Sequence, residues 1–193
     1  MIANDRRLDR RAAMRALLDN RGDLLVVCGL GSPTWDVAAA GDDARNFYLW
    51  GAMGGAAMIG LGLALARPER RVLVVTGDGE MLMGMGALAT IAVQKPANLA
   101  IVVLDNGAFG ETGMQESHTA RTTDLAAVAR GCGIPLSLDV DDAAGLARLG
   151  ALLHGSNETL FARIRVFATE HPRVMPEKDG VAIKQRFKRA IGL

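Results

Sequence analysis

The sequence predicts an α/β fold: a doubly wound parallel sheet with helices on both faces, which makes three layers. Short apolar runs alternate with segments of helical spacing along the 193 residues, an order typical of parallel sheets. Half of the residues are hydrophobic, which is enough for a sizeable core. No linker, repeat or low-complexity segment interrupts the chain, so residues 1–193 are expected to form a single domain.

The expected elements follow one another in a regular order. Apolar residues at helical spacing predict a first helix over residues 5–20. Ser32 is expected to cap the next helix, with Pro33 in its first position. Residues 107–122 are polar and aperiodic and are expected to form a long loop. Strands are expected at 24–27, 46–49, 72–76, 99–104, 135–140 and 159–166, and further helices at 51–67, 80–94, 124–130, 141–154 and 180–190.

Charge and cysteine content narrow the class of protein. The net charge is +1, which gives no electrostatic reason to expect nucleic acid or a membrane surface as a partner. Two cysteines without metal-ligand spacing and a charged N-terminus indicate a cytoplasmic protein with reduced thiols. The apolar run at 51–66 is rich in glycine and too short to span a membrane. The arginines of the first helix, Arg10 and Arg11 among them, are expected on a solvated face.

Oxygen-bearing side chains follow two of the predicted strands. Asp78 comes directly after the strand at 72–76, and Asn106 follows the strand at 99–104. In a doubly wound sheet, ligands bind outside the carboxyl ends of the strands. Carboxylate and amide oxygens suit Mg²⁺, and the amides of Gly79 and Glu80 at a helix start suit phosphate oxygens. Gly-Asp-Gly alone is common in tight turns, but the second strand end favours a site for a cation and a diphosphate.

These motifs resemble the diphosphate-binding motif of thiamine diphosphate enzymes, in which Gly-Asp-Gly is followed at a fixed spacing by Asn-Asn. Here Asn106 stands 28 residues after Asp78, and Asp105 replaces the first Asn. The resemblance implies that Asp78, Asn106 and the carbonyl of Ala108 bind Mg²⁺. It also implies a wider cofactor site that comprises Gly51, Met53, Gly77, Asp78, Gly79, Glu80, Asn106, Ala108, Phe109 and Gly110.

Within that site, the resemblance gives Met53 and Gly51 separate roles. Met53 would be the apolar support that folds the cofactor into a V, and the carbonyl of Gly51 would accept from its aminopyrimidine. By residue type alone Met53 is equally suited to filling the core. Its place in Gly51-Ala52-Met53-Gly54, ahead of Gly77, favours the support.

Several stretches resemble sulfopyruvate decarboxylase β subunits and the C-terminal part of phosphonopyruvate decarboxylases. They include 45–48, 105–109, 111–115 and 171–174. The resemblance implies decarboxylation of a small 2-oxo acid, in which the cofactor supplies the carbon chemistry. The polar residues Thr112, Gln115, Ser117 and His118 are the candidates for substrate contacts. His118 is also the candidate catalytic residue, although an exposed loop histidine fits the pattern as well.

Thiamine diphosphate enzymes need a glutamate that hydrogen-bonds the pyrimidine ring of the cofactor. No position in this chain is recognisable as that glutamate, and no second α/β domain is evident. The expectation is therefore a pyrimidine-binding α-type partner subunit in a heterodimer or α₂β₂ assembly.

Three other functions remain open at this point. An acetolactate-synthase-like carboligase would use the same cofactor clamp, as would a 2-oxo-acid oxidoreductase with a ferredoxin partner. A third possibility is a non-catalytic nucleotide-binding module of Rossmann type, because residues 60–66 are glycine-rich. That run lies inside a predicted helix rather than between a strand and a helix, which weighs against it.

Overall fold

A parallel six-stranded sheet forms the centre of the computed structural model, which describes residues 6–193. Its strands lie in the spatial order 46–48, 25–28, 72–77, 99–105, 160–165 and 136–140, so the chain winds outward in both directions from the strand at 25–28, as the doubly wound prediction expects. A separate antiparallel hairpin consists of β5 and β6. The strands are β1 (Leu25–Cys28), β2 (Asn46–Tyr48), β3 (Val72–Gly77), β4 (Leu99–Asp105), β5 (Ala108–Phe109), β6 (Gln115–Glu116), β7 (Leu136–Val140) and β8 (Leu160–Arg165).

Helices cover both faces of the sheet, which confirms the predicted three layers. One core contains residues of the helices at 10–18, 32–40 and 143–155, and the other contains residues of the helices at 56–66, 87–94 and 125–132. None of the helices in the described part of the chain has the length and apolar character of a membrane span. The helices are α1 (Arg10–Leu18), α2 (Ser32–Ala40), α3 (Ala56–Ala66), α4 (Asp78–Met83), α5 (Ala87–Gln94), α6 (Leu125–Cys132), α7 (Ala143–Gly155) and α8 (Gly180–Ala190).

The central strands are apolar throughout because both of their faces are covered. In β3, Leu73 and Val75 enter the core of α1, α2 and α7, whereas Val72 and Val74 enter the core of α3, α5 and α6. Strand β4 is buried along its whole length. This explains why continuous apolar runs, rather than alternating ones, marked the strands in the sequence.

Two helix predictions are wrong, one in the middle of the predicted helix and one at its start. The helix expected over 80–94 is two helices, α4 and α5. A Cβ on Gly84 would lie 2.1 Å from the carbonyl oxygen of Gly54, so the chain breaks where these two backbones touch. The helix expected from residue 51 begins only at Ala56, because Ala52 and Gly54 have positive φ angles.

Smaller differences concern the ends of elements. Helix α2 begins at Ser32 itself after Gly31, and no side chain caps it. Helix α1 begins at Arg10, where Asp9 accepts a hydrogen bond from the Ala12 amide at 2.7 Å; residue 5 of the expected helix lies outside the described residues. The segment 107–122 is not a plain loop, since it contains the β5–β6 hairpin and two single turns of 3₁₀-helix.

Candidate active site

The ends of β3 and β4 lie side by side at one edge of the sheet. Gly77 pairs with Leu104 in the parallel register, so Asp78 comes together with Asp105, the last residue of β4, and with Asn106 directly after it. Because they follow paired strands, their side chains share one end of the sheet. The fold therefore brings together the two strand ends that the sequence predicted to be neighbours.

An open cleft with about 680 Å³ of empty space lies above these strand ends. Gly51 does not line the cleft and lies exposed in the loop beside it. The predicted cofactor residues that do line it are Met53, Gly77, Asp78, Gly79, Glu80, Asn106, Ala108, Phe109 and Gly110.

Two hydroxyl groups hold the buried carboxylate of Asp78. The Ser117 hydroxyl donates to Asp78 Oδ2, and Thr119 Oγ1 lies 3.1 Å from the same oxygen. Thr119 Oγ1 also lies 2.7 Å from Asp105 Oδ1 and 2.8 Å from Ser117 Oγ. Both hydrogen bonds to Asp78 use Oδ2, and the two carboxylates are bridged by the single Thr119 hydroxyl.

The pKa of Asp78 is raised to about 6, chiefly by burial and also by the nearby charge of Asp105, whereas the hydrogen bonds from Ser117 and Thr119 lower it. On the far side of Asp105, Arg163 of β8 lies 3.8 Å from its carboxylate. A bound cation would favour the ionised form of Asp78, because an opposite charge lowers a carboxyl pKa. The site thus concentrates negative charge where an Mg²⁺ ion would balance it.

The turn after β4 is shaped by its own side chains. Asp105 Oδ1 accepts from the Gly107 amide at 3.0 Å, and Asn106 Oδ1 accepts from the Ala108 amide at 3.0 Å. Gly107 has a φ of +72°, which glycine adopts without strain. These bonds fix Asn106 and Ala108, two of the three expected metal ligands, at the mouth of the cleft.

Gly79 and Glu80 stand in the first turn of α4, where backbone amides have no acceptor within the helix. A Cβ at Gly79 would lie 2.8 Å from the ring of Phe109, so glycine is needed at this position. The Glu80 side chain turns into the protein, where its Oε2 accepts from Thr76 Oγ1 at 2.9 Å. Burial raises the pKa of Glu80. Only the backbone of Glu80 therefore faces a ligand.

The four candidate substrate residues are not gathered in one place. Thr112 lines the cleft, and its hydroxyl is hydrogen-bonded to Gln115, which lies outside the cleft lining. Ser117 is buried beneath Asp78 rather than turned to a substrate. His118 is exposed, and its ring stands edge-on to Phe109 with the ring centroids 6.0 Å apart.

The expectation that Arg10 and Arg11 lie on a solvated face is wrong. Arg10 is 5% exposed, lines the cleft and lies 2.5 Å from the carboxylate of Asp36, which Arg11 also contacts at 3.2 Å. Asp36 is fully buried in α2, and a buried carboxylate needs a charged partner. The acidic residue in the apolar run of α2 was the signal that could have revealed the pair.

Sequence comparison places this site in a known family. The profile described as "Thiamine pyrophosphate enzyme, C-terminal TPP binding domain" matches residues 34–158. The chain belongs to the thiamine diphosphate enzymes. The matched span includes the Asp78–Asn106 strand ends and Met53, so the geometry described above is that of a thiamine diphosphate-binding domain.

Relatives within this family include two kinds of decarboxylase. The sulfopyruvate decarboxylase subunit beta of Methanocaldococcus jannaschii is 42% identical over 63% of this chain and 64% of its own length. The phosphonopyruvate decarboxylase of Streptomyces viridochromogenes is 44% identical over 63% of this chain. The match spans only 30% of that relative, and slightly under two thirds of the first one.

A solved member of the family has the same fold. The thiamine diphosphate-dependent 4-hydroxybenzoylformate decarboxylase of Rhodococcus jostii RHA1 superposes with a TM-score of 0.71 at 19% identity. The superposition covers 88% of this chain and 34% of that one. The observed chemistry of the cleft fits the cofactor of this family: Asp78 and Asn106 offer hard oxygen donors, and Met53 is 45% exposed beside them.

Proposed function

We propose that this chain is the diphosphate-binding, β-type subunit of a thiamine diphosphate- and Mg²⁺-dependent decarboxylase. Its substrate would be a small anionic 2-oxo acid of the sulfopyruvate or phosphonopyruvate kind. The observation that carries the proposal is the pair of adjacent strand ends, with Asp78 and Asn106 facing one cleft that Met53 also lines. The similarity to a sulfopyruvate decarboxylase β subunit supports the substrate class.

In this proposal Asp78, Asn106 and the carbonyl of Ala108 hold Mg²⁺, and the ion in turn holds the diphosphate. Mg²⁺ prefers six oxygens and usually takes some from phosphate and water, which suits so small a set of protein ligands. Ser117 and Thr119 orient Asp78, as the groups behind a metal ligand commonly do. Arg163 offsets the extra negative charge that Asp105 brings.

The bound cofactor supplies the electron sink for loss of CO₂. This chain contributes the clamp at the diphosphate end and Met53 as the apolar support for the bend of the cofactor. The turn 110–112 lies at the mouth of the cleft, where Thr112 offers a hydroxyl to an anionic substrate.

The activating glutamate would come from a pyrimidine-binding partner subunit. An apolar surface beside the cleft supports this part of the proposal. Met53 and Met83 line the cleft and are exposed, and Met58 and Ile59 are exposed in the first turn of α3, which begins three residues after Met53. Helix α3 is apolar on every side, which is typical of a helix that is buried in an assembly. Exposed apolar patches of this kind mark protein interfaces.

The test is reconstitution with a pyrimidine-binding subunit that co-purifies with the chain. With thiamine diphosphate and Mg²⁺, the complex is expected to release CO₂ from sulfopyruvate or phosphonopyruvate, and the chain alone is expected to be inactive. The Asp78→Ala complex should assemble without activity. Full activity of the chain alone would refute the split enzyme, and acetolactate as the product from pyruvate would identify a carboligase instead.

A further inference from the structure

Glu80 carries a buried carboxylate that lies where three loops meet. It is 7% exposed, and its Oε2 accepts from Thr76 Oγ1 at 2.9 Å. The loops are the β1 loop (residues 29–31), the Met53 loop (residues 51–55) and the turn at which β3 passes into α4. Each of them contributes to the lining of the cleft, through Leu30, Met53 and Asp78.

The β1 loop is fitted closely around this carboxylate. A Cβ on Gly29 would lie 1.7 Å from Glu80 Oε2, so any side chain at residue 29 would displace the carboxylate. The Leu30 amide faces the same group and favours its charged form. On the other side of the loop, Thr34 Oγ1 donates to the Gly29 carbonyl at 2.7 Å. The β1 loop is therefore held between α2 and the Glu80 carboxylate.

The Met53 loop is attached at both ends of α4. At the N-terminal end, the amides of Gly54 and Ala56 face the Glu80 carboxylate. At the C-terminal end, Gly84 touches the Gly54 carbonyl so closely that a Cβ there would lie 2.1 Å away. Both contacts restrain the backbone directly after Met53, whose side chain lines the cleft.

Burying the Glu80 carboxylate is costly to the fold unless hydrogen bonds compensate for the loss of water around the charge. The Thr76 hydroxyl supplies that compensation at Oε2, and the amides of the two loops face the carboxylate, whereas Oε1 has no hydrogen-bond partner among the described residues. A hydrophobic residue would fill the same space without burying a charge, but would give the loop amides no acceptor. What the carboxylate adds is a fixed position for both loops.

We propose that Glu80 is a positioning residue that ties the β1 loop and the Met53 loop to α4, and thereby holds Met53 in the cleft that Asp78 also lines. The identity of the ligand, thiamine diphosphate, rests on the proposed function. Glu80 then determines how well the bent cofactor fits, while the metal and diphosphate clamp at Asp78 and Asn106 stays intact without it.

The test compares two probes on the complex with the partner subunit: thiamine diphosphate with Mg²⁺, and inorganic diphosphate with Mg²⁺. Calorimetry of Glu80→Ala should show thiamine diphosphate binding at least tenfold weaker and inorganic diphosphate binding changed by less than about threefold. Glu80→Gln keeps the shape and one acceptor oxygen, so its affinity should return to within about threefold of wild type. Glu69→Ala, an exposed glutamate away from the cleft, is the control. Equal losses for both probes would indicate a merely structural role and overturn the proposal, as would unchanged binding of thiamine diphosphate.

A second arm uses the fit between Gly29 and Glu80 and does not depend on the ligand. Gly29→Ala alone should lower the melting temperature, because its methyl group collides with the carboxylate. In the Glu80→Ala background the same methyl group has room, so the double variant should melt at the temperature of Glu80→Ala. If the two losses in melting temperature add in the double variant, the proposed contact between residue 29 and the Glu80 carboxylate is wrong. If wild type fails to bind thiamine diphosphate while this coupling is present, the proposed function is wrong and the loop attachment stands.

Discussion

Replacing Thr119 by Val removes one hydroxyl from between two carboxylates and keeps the shape of the side chain. The hydroxyl has a single proton that the two carboxylates share, since Thr119 Oγ1 lies 2.7 Å from Asp105 Oδ1 and 3.1 Å from Asp78 Oδ2. The Ser117 hydroxyl donates to Asp78 independently. The variant therefore loses one hydrogen bond to a charged group and the bridge between Asp78 and Asp105.

A hydrogen bond to a charged group contributes roughly 1.5–3 kcal/mol. Thr119 is half-buried, and Asp105 keeps its bond from the Gly107 amide, so the loss should lie near the lower bound. We expect the free energy of unfolding of the metal-free protein to fall by about 1.5 kcal/mol. Groups that orient metal ligands typically change metal affinity by about 10–100-fold, so Mg²⁺ binding with thiamine diphosphate should weaken about tenfold or more.

Urea denaturation measures the first effect, and calorimetric titration of Mg²⁺ into the complex with thiamine diphosphate measures the second. Thr122→Val is the matched control, because Thr122 is exposed in the same segment. Mg²⁺ affinity equal to wild type in Thr119→Val would refute the reasoning, as would an equal loss in Thr122→Val.

Three further predictions concern other parts of the molecule. Asp78→Asn keeps an acceptor for Ser117 but removes a buried charge beside Asp105, so it should abolish Mg²⁺-dependent diphosphate binding in calorimetry without lowering the melting temperature of the metal-free protein; a large drop would contradict it. Gly60→Ala should lower the free energy of unfolding in urea by about 1–3 kcal/mol, because its Cβ would lie 2.1 Å from the Val74 side chain. Gly62→Ala is the control and should cause no such loss, because the space around Gly62 is open. Burial raises the pKa of Asp42, but the hydrogen bond and charge of Arg186 outweigh it, so the pKa is lowered in the folded protein. The ionised Asp42 therefore stabilises the folded state above the ordinary Asp pKa of 3.8. This stabilisation is lost as the pH falls through the folded-state pKa. Asp42→Asn should therefore lower the free energy of unfolding by less than about 1 kcal/mol at pH 7, because the pair is partly exposed. Denaturation curves should show a progressively smaller loss below pH 3.8. A difference between variant and wild type that stays constant with pH would contradict this prediction.

The sequence by itself determined the layered fold and the position of the site. Buried parallel strands leave continuous apolar runs, and the residues that follow them must come to one edge of the sheet, so the sequence alone places Asp78 and Asn106 together. The hydrophobic pattern is local and periodic, which is why it could be read along the chain.

Contacts between distant residues were decided only by the tertiary structure. Nothing local to Thr119 indicates that its hydroxyl bridges Asp78 and Asp105, because a loop threonine forms such a bond only when the segment folds back over the strand ends. The break in the helix at Gly84 likewise depends on the Gly54 backbone, 30 residues earlier in the chain. Hydrogen bonds and backbone contacts act over a few ångströms in space, and only the packed chain determines which residues come that close.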